Sequence, residues 1–297
     1  MNYAGKNYRV AGEHRYDGIL YLPSCPEYVV KKVRDEKLDF RRDDVIVATY
    51  PKSGTTWMQE IIWLIMNKVD TERAKSEHVL VRVPYLESTK VESPIEKLPT
   101  MKRPLVVKTH LRADLIMRQV SKNADSGPKV VVVMRNPKDV LVSYYYFYKA
   151  CKSYDFKGSF DDFFRLYESD DLVYGDPLDY CQQWMTYKDN PNVLIIHYED
   201  LKADLKGCIK RLSVFCQRDL SNDQIENLAR HVSFDSMKKN PQTNFESFIA
   251  MRPHISPFIR KGIVGDWKNH LADKQNEMID KRCESLHRLC GLSFRFL

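Results

Sequence analysis

A short loop in the first quarter of the chain has the residue types that bind anions. In the stretch ATYPKSGTTWMQEI, a lysine and a glycine follow a strand-like run and precede an amphipathic helical pattern. A turn at Gly54 and a helix beginning near Thr55 would direct backbone N–H groups and the positive helix end at one point. Lys52 would add a positive charge, and three residues would add hydroxyl donors: Ser53, Thr55 and Thr56. The loop predicts a phosphate site, although on its own it also fits an ordinary strand-to-helix turn capped by threonine.

A second phosphate-binding pattern follows another apolar run. The run KVVVVM leads into RNPKDVLVS, which places Arg135 at the predicted strand end and Ser143 two turns into the next helix. Arginine binds phosphate through two parallel hydrogen bonds, and a serine on the helix can donate beside it. Together the two patterns predict a ligand with two phosphates.

An ATP-hydrolysing P-loop is disfavoured. That motif needs GxxxxGK followed by serine or threonine, whereas YPKSGTTW has one glycine, and its lysine precedes it. In addition, no group of His, Cys, Asp and Glu residues shows the spacing of metal ligands. We therefore expect no metal at this site.

Short β-branched runs alternate with helical patterns, and these elements must position the loops. The runs span residues 44–50, 104–110, 129–134 and 192–198. Continuous apolar runs of this length are typical of buried parallel strands. Helical patterns cover residues 56–67, 139–151, 201–217 and 277–290, and Ser221 with Gln224 forms a capping-box signature. The order predicts one α/β domain over residues 1–297, with a central parallel sheet flanked by helices.

Two segments show little periodicity, residues 84–104 and residues 240–257. Long irregular segments in a compact domain are often binding loops or lids, but plain surface loops have the same composition. Both interpretations stay open from the sequence.

Composition favours a reducing compartment. Seven cysteines with no CxxC pair argue against a disulfide framework and a zinc site. The 47 Lys and Arg residues exceed the 40 Asp and Glu by 7, which favours an anionic partner but also fits an ordinary basic surface. The stretch MNYAGKNYRV has no apolar signal core, and the run IIWLIM is far shorter than a membrane span. We expect a soluble, cytoplasmic protein with no membrane or nucleic-acid partner.

Three motifs together resemble the cytosolic sulfotransferase family, of the phenol or aryl type. YPKSGTTW resembles the family's 5'-phosphosulfate loop, RNPKDVLVSYYYFY its 3'-phosphate motif, and RKGIVGDWKN, residues 260–269, its C-terminal signature. The three occur in the family's order across nearly the whole chain. The resemblance implies one α/β domain related to nucleotide kinases, with 3'-phosphoadenosine 5'-phosphosulfate (PAPS) as donor and 3'-phosphoadenosine 5'-phosphate (PAP) as product.

The resemblance also implies which residues bind the donor. Lys52 would contact the bridging and 5'-phosphate oxygens, within a cradle completed by Ser53, Gly54, Thr55 and Thr56. The 3'-phosphate would be bound by Arg135, Ser143, Arg260, Lys261 and Gly262. The adenine would lie between Trp57 and Phe234, near Tyr198 and Ser233. Aromatic residues such as these are equally common in ordinary cores, so only their flanking motifs favour the binding role.

The catalytic residues follow from the same resemblance. His110, at the end of VVKTH, matches the family's base, and Lys108 would lie beside the reacting group. The histidine would take the proton of the acceptor hydroxyl while its oxygen attacks sulfur in line with the departing phosphate. Lys52 would stabilise the leaving oxygen. Ser143 would engage Lys52 until the acceptor binds.

The family pattern places four aromatic residues around the acceptor: Tyr85, Phe147, Tyr174 and Phe245. Aromatic walls suit a flat phenol or a steroid, with one polar point at His110. Position 151 is Cys, where family members that prefer catecholamines have an acidic residue. A phenol or another neutral hydroxyl compound is therefore the favoured small-molecule acceptor, and amines remain an alternative.

Two departures from the family pattern weaken specific expectations. Val232 stands where the family commonly has threonine, which removes one hydroxyl near the adenine. Residues 268–277 align with the dimer motif KxxxTVxxxE, but only Lys268 and Glu277 match it. A homodimer through this degenerate segment is therefore doubtful.

Three other functions compete with the sulfotransferase. A binding protein could keep the nucleotide or lipophile site with little turnover, but the complete set of Lys52, His110 and Ser143 favours an enzyme. A nucleotide kinase would share the fold but should require magnesium and a Walker loop. A sulfotransferase of the secretory pathway acting on glycans or tyrosines would need a targeting segment.

Overall fold

The four apolar runs form the strands at the centre of the molecule. A computed structural model describes residues 2–3, 6–7, 10, 12–90, 93–121, 123 and 126–296, so positions 91 and 92 of the irregular segment 84–104 lie outside the described residues. The strands are β1 (Asn2–Tyr3), β2 (Lys6–Asn7), β3 (His14–Tyr16), β4 (Ile19–Tyr21), β5 (Val45–Thr49), β6 (Val106–Thr109), β7 (Lys129–Met134) and β8 (Val193–His197). Within the described ranges, the last four form a parallel sheet in the order β6-β5-β7-β8, which confirms the predicted α/β class.

Both faces of this sheet are covered, which explains why its strands are apolar throughout. Every residue of β5 and β7 is buried. Ile46 and Val132 belong to the hydrophobic cluster on one side, whereas Val47 and Val131 belong to the cluster on the other. Because successive side chains of a strand point to opposite faces, a strand buried on both faces needs apolar residues at every position.

Helices surround the sheet, and their positions largely follow the predicted patterns. They are α1 (Glu27–Asp35), α2 (Thr55–Met66), α3 (Thr71–Ser76), α4 (Val79–Arg82), α5 (Pro94–Lys97), α6 (Ala113–Ile116), α7 (Pro137–Ala150), α8 (Phe160–Glu168), α9 (Pro177–Met185), α10 (Tyr198–Ala203), α11 (Leu205–Phe215), α12 (Asn222–His231), α13 (Phe234–Lys239), α14 (Pro241–Asn244) and α15 (Asp273–Cys290). Single 3-10 turns cover Leu98–Thr100 and Asp266–Asn269. Ser221 and Gln224 form the predicted capping box of α12.

The prediction of one helix over residues 201–217 is wrong. The chain leaves the helical conformation at Asp204, between α10 and α11. The Asp204 carboxylate accepts a hydrogen bond from the Gly207 N–H at 2.9 Å, and so caps the second helix. An aspartate at this position competes for backbone N–H groups and favours a new helix start over a continuous helix.

A buried ion pair fixes the segment that leads to Tyr85. Glu60 of α2 and Arg82 of α4 bind each other, and both side chains are fully buried. Arg82 also donates to the Glu77 carbonyl at 2.8 Å. Because breaking such a pair would leave a buried charge without a partner, the contact holds α4, and the chain that follows it, against α2.

The carboxyl ends of the central strands bring together residues that are distant in the sequence. Lys52 follows β5, His110 follows β6, Arg135 follows β7 and Tyr198 follows β8. In open parallel sheets, ligands bind at this edge.

Candidate active site

The loop after β5, residues 50–54, has the strained backbone that a tight strand-to-helix turn requires. Lys52 and Gly54 both have positive φ, 69° and 104°. A Cβ at Gly54 would lie 2.9 Å from Tyr198 Cδ2, so no larger residue fits there without a shift. Helix α2 begins at Thr55, and the N–H groups of a first helical turn have no acceptor within their own helix. Those amides and the helix dipole are suited to an anion.

The hydroxyl groups of this loop differ in their surroundings. Thr55 Oγ1 lies 2.7 Å from Thr49 Oγ1, so this hydroxyl is already engaged with the strand. Thr56 lines the adjoining cavity, but Ser53 is buried and is not part of the cavity wall. The predicted cradle therefore combines groups that face the cavity with groups that support the loop.

Lys52 lies in a cationic and aromatic environment. Its ammonium nitrogen is 4.0 Å from the centre of the Phe258 ring and 4.7 Å from that of Phe147. Burial, followed by the positive charges of Arg135 and Arg260, lowers the pKa of Lys52 to about 7. Concentrated positive charge of this kind is unfavourable until an anion enters.

Arg135 joins the loop after β5 to the C-terminal loop. Its guanidinium donates to the Lys52 carbonyl at 3.1 Å and to the Ile263 carbonyl at 3.2 Å. It also lies over the Tyr198 ring, 4.3 Å from the ring centre. Its Nε is buried and has no hydrogen-bond acceptor in the described part of the chain. Ser143 on α7 lines the same cavity.

The C-terminal loop is fixed by two buried aspartates. Asp139 on α7 accepts from the Gly265 and Trp267 N–H groups at 2.8 and 3.0 Å. Asp266 accepts from Arg260 at 2.6 Å and from Lys261 at 2.7 Å. These contacts hold both cations at the cavity wall.

Glycine is required at position 262 because of an aromatic neighbour. Gly262 has φ 63°, and a Cβ there would lie 2.3 Å from Phe234 Cδ2.

The predicted adenine-binding aromatic residues lie close together. The Trp57 ring meets Tyr198 edge-on at 5.5 Å. Phe234, Trp57 and Tyr198 line the cavity together with Val232, while Ser233 caps α13 through a hydrogen bond from the Ser236 N–H and is not part of the wall.

His110 is held by the backbone of its neighbours. Its Nδ1 lies 2.6 Å from the Thr49 carbonyl oxygen. Because a carbonyl can only accept, Nδ1 carries the proton, and in the neutral ring Nε2 is the basic nitrogen. Burial, and then the charge of Lys108, lowers the pKa of His110 well below its ordinary value. The imidazole is therefore neutral at neutral pH.

A buried glutamate, Glu87, supports this end of the site. Its Oε1 accepts the backbone N–H of His110 at 2.6 Å. Burial raises the pKa of the Glu87 carboxyl and lowers the pKa of Lys108. Glu87 was not predicted from the sequence, although a glutamate in the apolar stretch VPYLES is an unusual residue. Glu87 supports the site through this contact at the end of β6, and no local sequence pattern indicates such a contact.

The predicted acceptor residues form an aromatic enclosure around His110. The rings of Tyr85 and Tyr174 meet His110 edge-on at 5.2 and 5.3 Å, and their hydroxyl groups hydrogen-bond each other. Lys108 Nζ lies 3.9 Å from the centre of the Tyr85 ring. Phe147 and Phe245 line the same wall. A further ring, Phe258, touches both of these phenylalanines and was not predicted.

The anion-binding and aromatic groups described above adjoin one cavity of about 580 Å³. It is lined by every predicted site residue except Ser53 and Ser233.

Within the described ranges, no group of three or more His, Cys, Asp or Glu residues is placed to hold a metal ion. No helix in the described part of the chain is long and apolar enough to span a membrane.

Comparisons with known proteins identify the family of this chain. A sequence model of the sulfotransferase domain matches residues 42–291. Human sulfotransferase 1E1 is 36% identical over 264 residues, which cover 88% of this chain and 89% of that protein. Mouse sulfotransferase SULT7A1, solved in complex with PAP, is 26% identical, with a TM-score of 0.74 over 93% of this chain and 94% of that one. A retinol dehydratase solved with retinol and PAP is 25% identical, with a TM-score of 0.79 over 93% and 89%. The chain belongs to the sulfotransferase family.

Proposed function

We propose that this sulfotransferase moves a sulfuryl group from PAPS to the hydroxyl of a small, phenolic acceptor, with His110 as general base. One observation carries the proposal. The cation cluster around Lys52 and the neutral imidazole of His110 face the same cavity, so a nucleotide and an acceptor could meet between them.

The donor half fits a nucleotide with two phosphates. Buried N–H groups of Trp57, Arg135 and Arg260 have no acceptor among the described residues, and buried donors in proteins are normally paired. An anionic nucleotide would supply such acceptors. Lys52 and the first turn of α2 would bind the 5'-phosphosulfate, and Arg135, Ser143 and the loop at residues 260–262 would bind the 3'-phosphate. The adenine would lie between Trp57 and Phe234.

The acceptor half fits a proton transfer coupled to attack on sulfur. The acceptor O–H would give its proton to His110 Nε2 while its oxygen forms the new bond to sulfur. The bond from sulfur to the 5'-phosphate oxygen breaks at the same time, and Lys52 stabilises the charge that this oxygen gains. Lys108 lies beside His110 and would orient the entering hydroxyl.

The wall composition supports a phenol over an amine. Tyr85, Tyr174, Phe147 and Phe245 provide flat apolar surface, which suits an aromatic ring. Cys151 lines the same cavity and provides no negative charge to pair with an ammonium group. Phenols are therefore the expected acceptors.

The test is transfer of labelled sulfate from PAPS to a panel of phenols, steroids, alcohols and amines, with EDTA present. We expect metal-independent transfer that is highest with phenols. Tight binding of PAP without transfer to any acceptor would favour a binding protein, and a requirement for magnesium would contradict the proposed chemistry.

We predict that PAP binding weakens as the pH rises above about 7. Lys52 loses its proton near pH 7 in the free protein, and a bound phosphate would favour the charged form, so binding above that pH takes up a proton. The affinity should fall by up to about tenfold per pH unit while the phosphates themselves stay ionised. Calorimetry in two buffers with different ionisation enthalpies measures the proton uptake. Lys52→Met is the control, and an equally steep pH dependence in that variant would contradict the assignment to Lys52.

A further inference from the structure

The acceptor half of the cavity carries positive charge that the proposed chemistry does not use. Lys90 lines this half, together with the neutral residues Ser24 and Ser88. The described residues of the cavity wall include no aspartate or glutamate. The donor phosphates would compensate the cations around Lys52, whereas Lys90 lies on the segment that follows the predicted acceptor residue Tyr85.

Lys90 closes one side of the acceptor half. Its ammonium donates to the Ser153 hydroxyl at 2.9 Å, and its backbone N–H donates to the Ser88 hydroxyl at 3.3 Å. The first contact connects the segment after Tyr85 with the turn after α7. That turn also carries Cys151, which lines the cavity. Ser153 accepts a hydrogen bond without neutralising the charge.

Lys90 lies at the exposed edge of the cavity wall, and its charge reaches Lys108. Burial is the main cause of the lowered pKa of Lys108; the Glu87 carboxylate opposes it, and repulsion by Lys90 adds to it. A ligand anion near Lys90 would relieve this repulsion, whereas a ligand ammonium would add to it. The buried thiol of Cys151 offers no compensation for an ammonium group.

We propose that the acceptor carries an anionic group, such as a carboxylate, in addition to its reacting hydroxyl, and that Lys90 binds this group. The inference rests on the proposed function, because it assumes that the hydroxyl lies at His110. It narrows the acceptor class from phenols in general to phenols with an acidic tail.

Binding and turnover of three phenols of matched length test the proposal. The set is 3-(4-hydroxyphenyl)propanoate, its amide and tyramine, which have an anionic, a neutral and a cationic tail. Calorimetry at low salt with the PAP complex gives their dissociation constants, and labelled PAPS gives their kcat/KM. We expect the acid to bind about fivefold more tightly than the amide, the upper range for an exposed ion pair, and tyramine to bind most weakly. The preference should shrink at high salt.

Two substitutions at Lys90 make the test specific. Lys90→Met should remove the preference for the acid, and Lys90→Glu should reverse the order of acid and amine. Lys102→Met is the matched control, because this lysine is exposed like Lys90 but does not line the cavity. Amide binding should be unchanged in all three variants, which shows that the fold and the aromatic wall are intact.

The outcomes separate this inference from the proposed function. Equal affinity for the three phenols, or a preference that the Lys90 variants leave unchanged, overturns the role of Lys90 while sulfate transfer to phenols still stands. A preference in binding that changes with Lys90, without any transfer from PAPS, supports the anion site and contradicts the proposed function.

Discussion

Replacement of His110 by alanine should lower kcat/KM for a phenol by about 10²- to 10⁴-fold, the usual contribution of a general base. The Thr49 carbonyl fixes the proton on Nδ1, and burial keeps the ring neutral, so the wild-type Nε2 is ready to accept a proton. For the same reason, activity should persist as the pH falls through the ordinary histidine range, and should be lost only well below pH 6.5. Steady-state sulfate transfer as a function of pH provides both measurements.

Acceptors of different acidity test whether His110 is a base or only shapes the pocket, because the activity lost in His110→Ala should depend on acceptor acidity only if His110 removes the proton. An electron-poor phenol that is already ionised in the assay needs no base, so His110→Ala should lose much less activity with it than with unsubstituted phenol. His197→Ala is the matched control, since His197 ends strand β8 of the same sheet and does not line the cavity. An equal loss with both phenols would mean that His110 has a positional role. PAP binding by each variant verifies that it is folded.

The two loops that we propose bind the donor could be located from the sequence because each is a local pattern. Lys52 to Thr56 are consecutive, and Arg135 and Ser143 belong to one strand-helix unit, so their spacing alone places them. The parallel sheet could also be predicted, since strands buried on both faces are continuous apolar runs. The family resemblance added His110, which by residue type alone is an ordinary histidine.

The supporting residues that the sequence did not indicate act through contacts between distant segments. Glu87 reaches the backbone of His110, 23 positions away, and Arg82 pairs with Glu60, 22 positions away. Phe258 meets Lys52 across most of the chain length. Periodicity reports which face of an element is buried, but it does not report which distant side chain covers that face. The prediction of one helix over residues 201–217 failed for a different reason. A single capping residue, Asp204, outweighed a helical pattern that continued on both sides of it.

Lys52→Met should lower kcat by about 10²- to 10³-fold, comparable to the removal of one donor that stabilises a developing negative charge. PAP affinity near pH 7 should fall much less. The lysine is only partly protonated there before the nucleotide binds, and Arg135, Arg260 and the first turn of α2 remain. Steady-state transfer of sulfate and calorimetry with PAP separate the two effects.

Lys52→Arg is the informative comparison, because it keeps the charge but changes its shape. The ammonium lies 4.0 Å from the Phe258 ring centre and 4.7 Å from that of Phe147, so a planar guanidinium would have to displace one of these rings. We therefore expect arginine to rescue PAP binding at high pH without restoring kcat. If Lys52→Met instead raised KM and left kcat unchanged, Lys52 would bind ground state and transition state equally, and stabilisation of the leaving oxygen would have to come from the helix N-terminus.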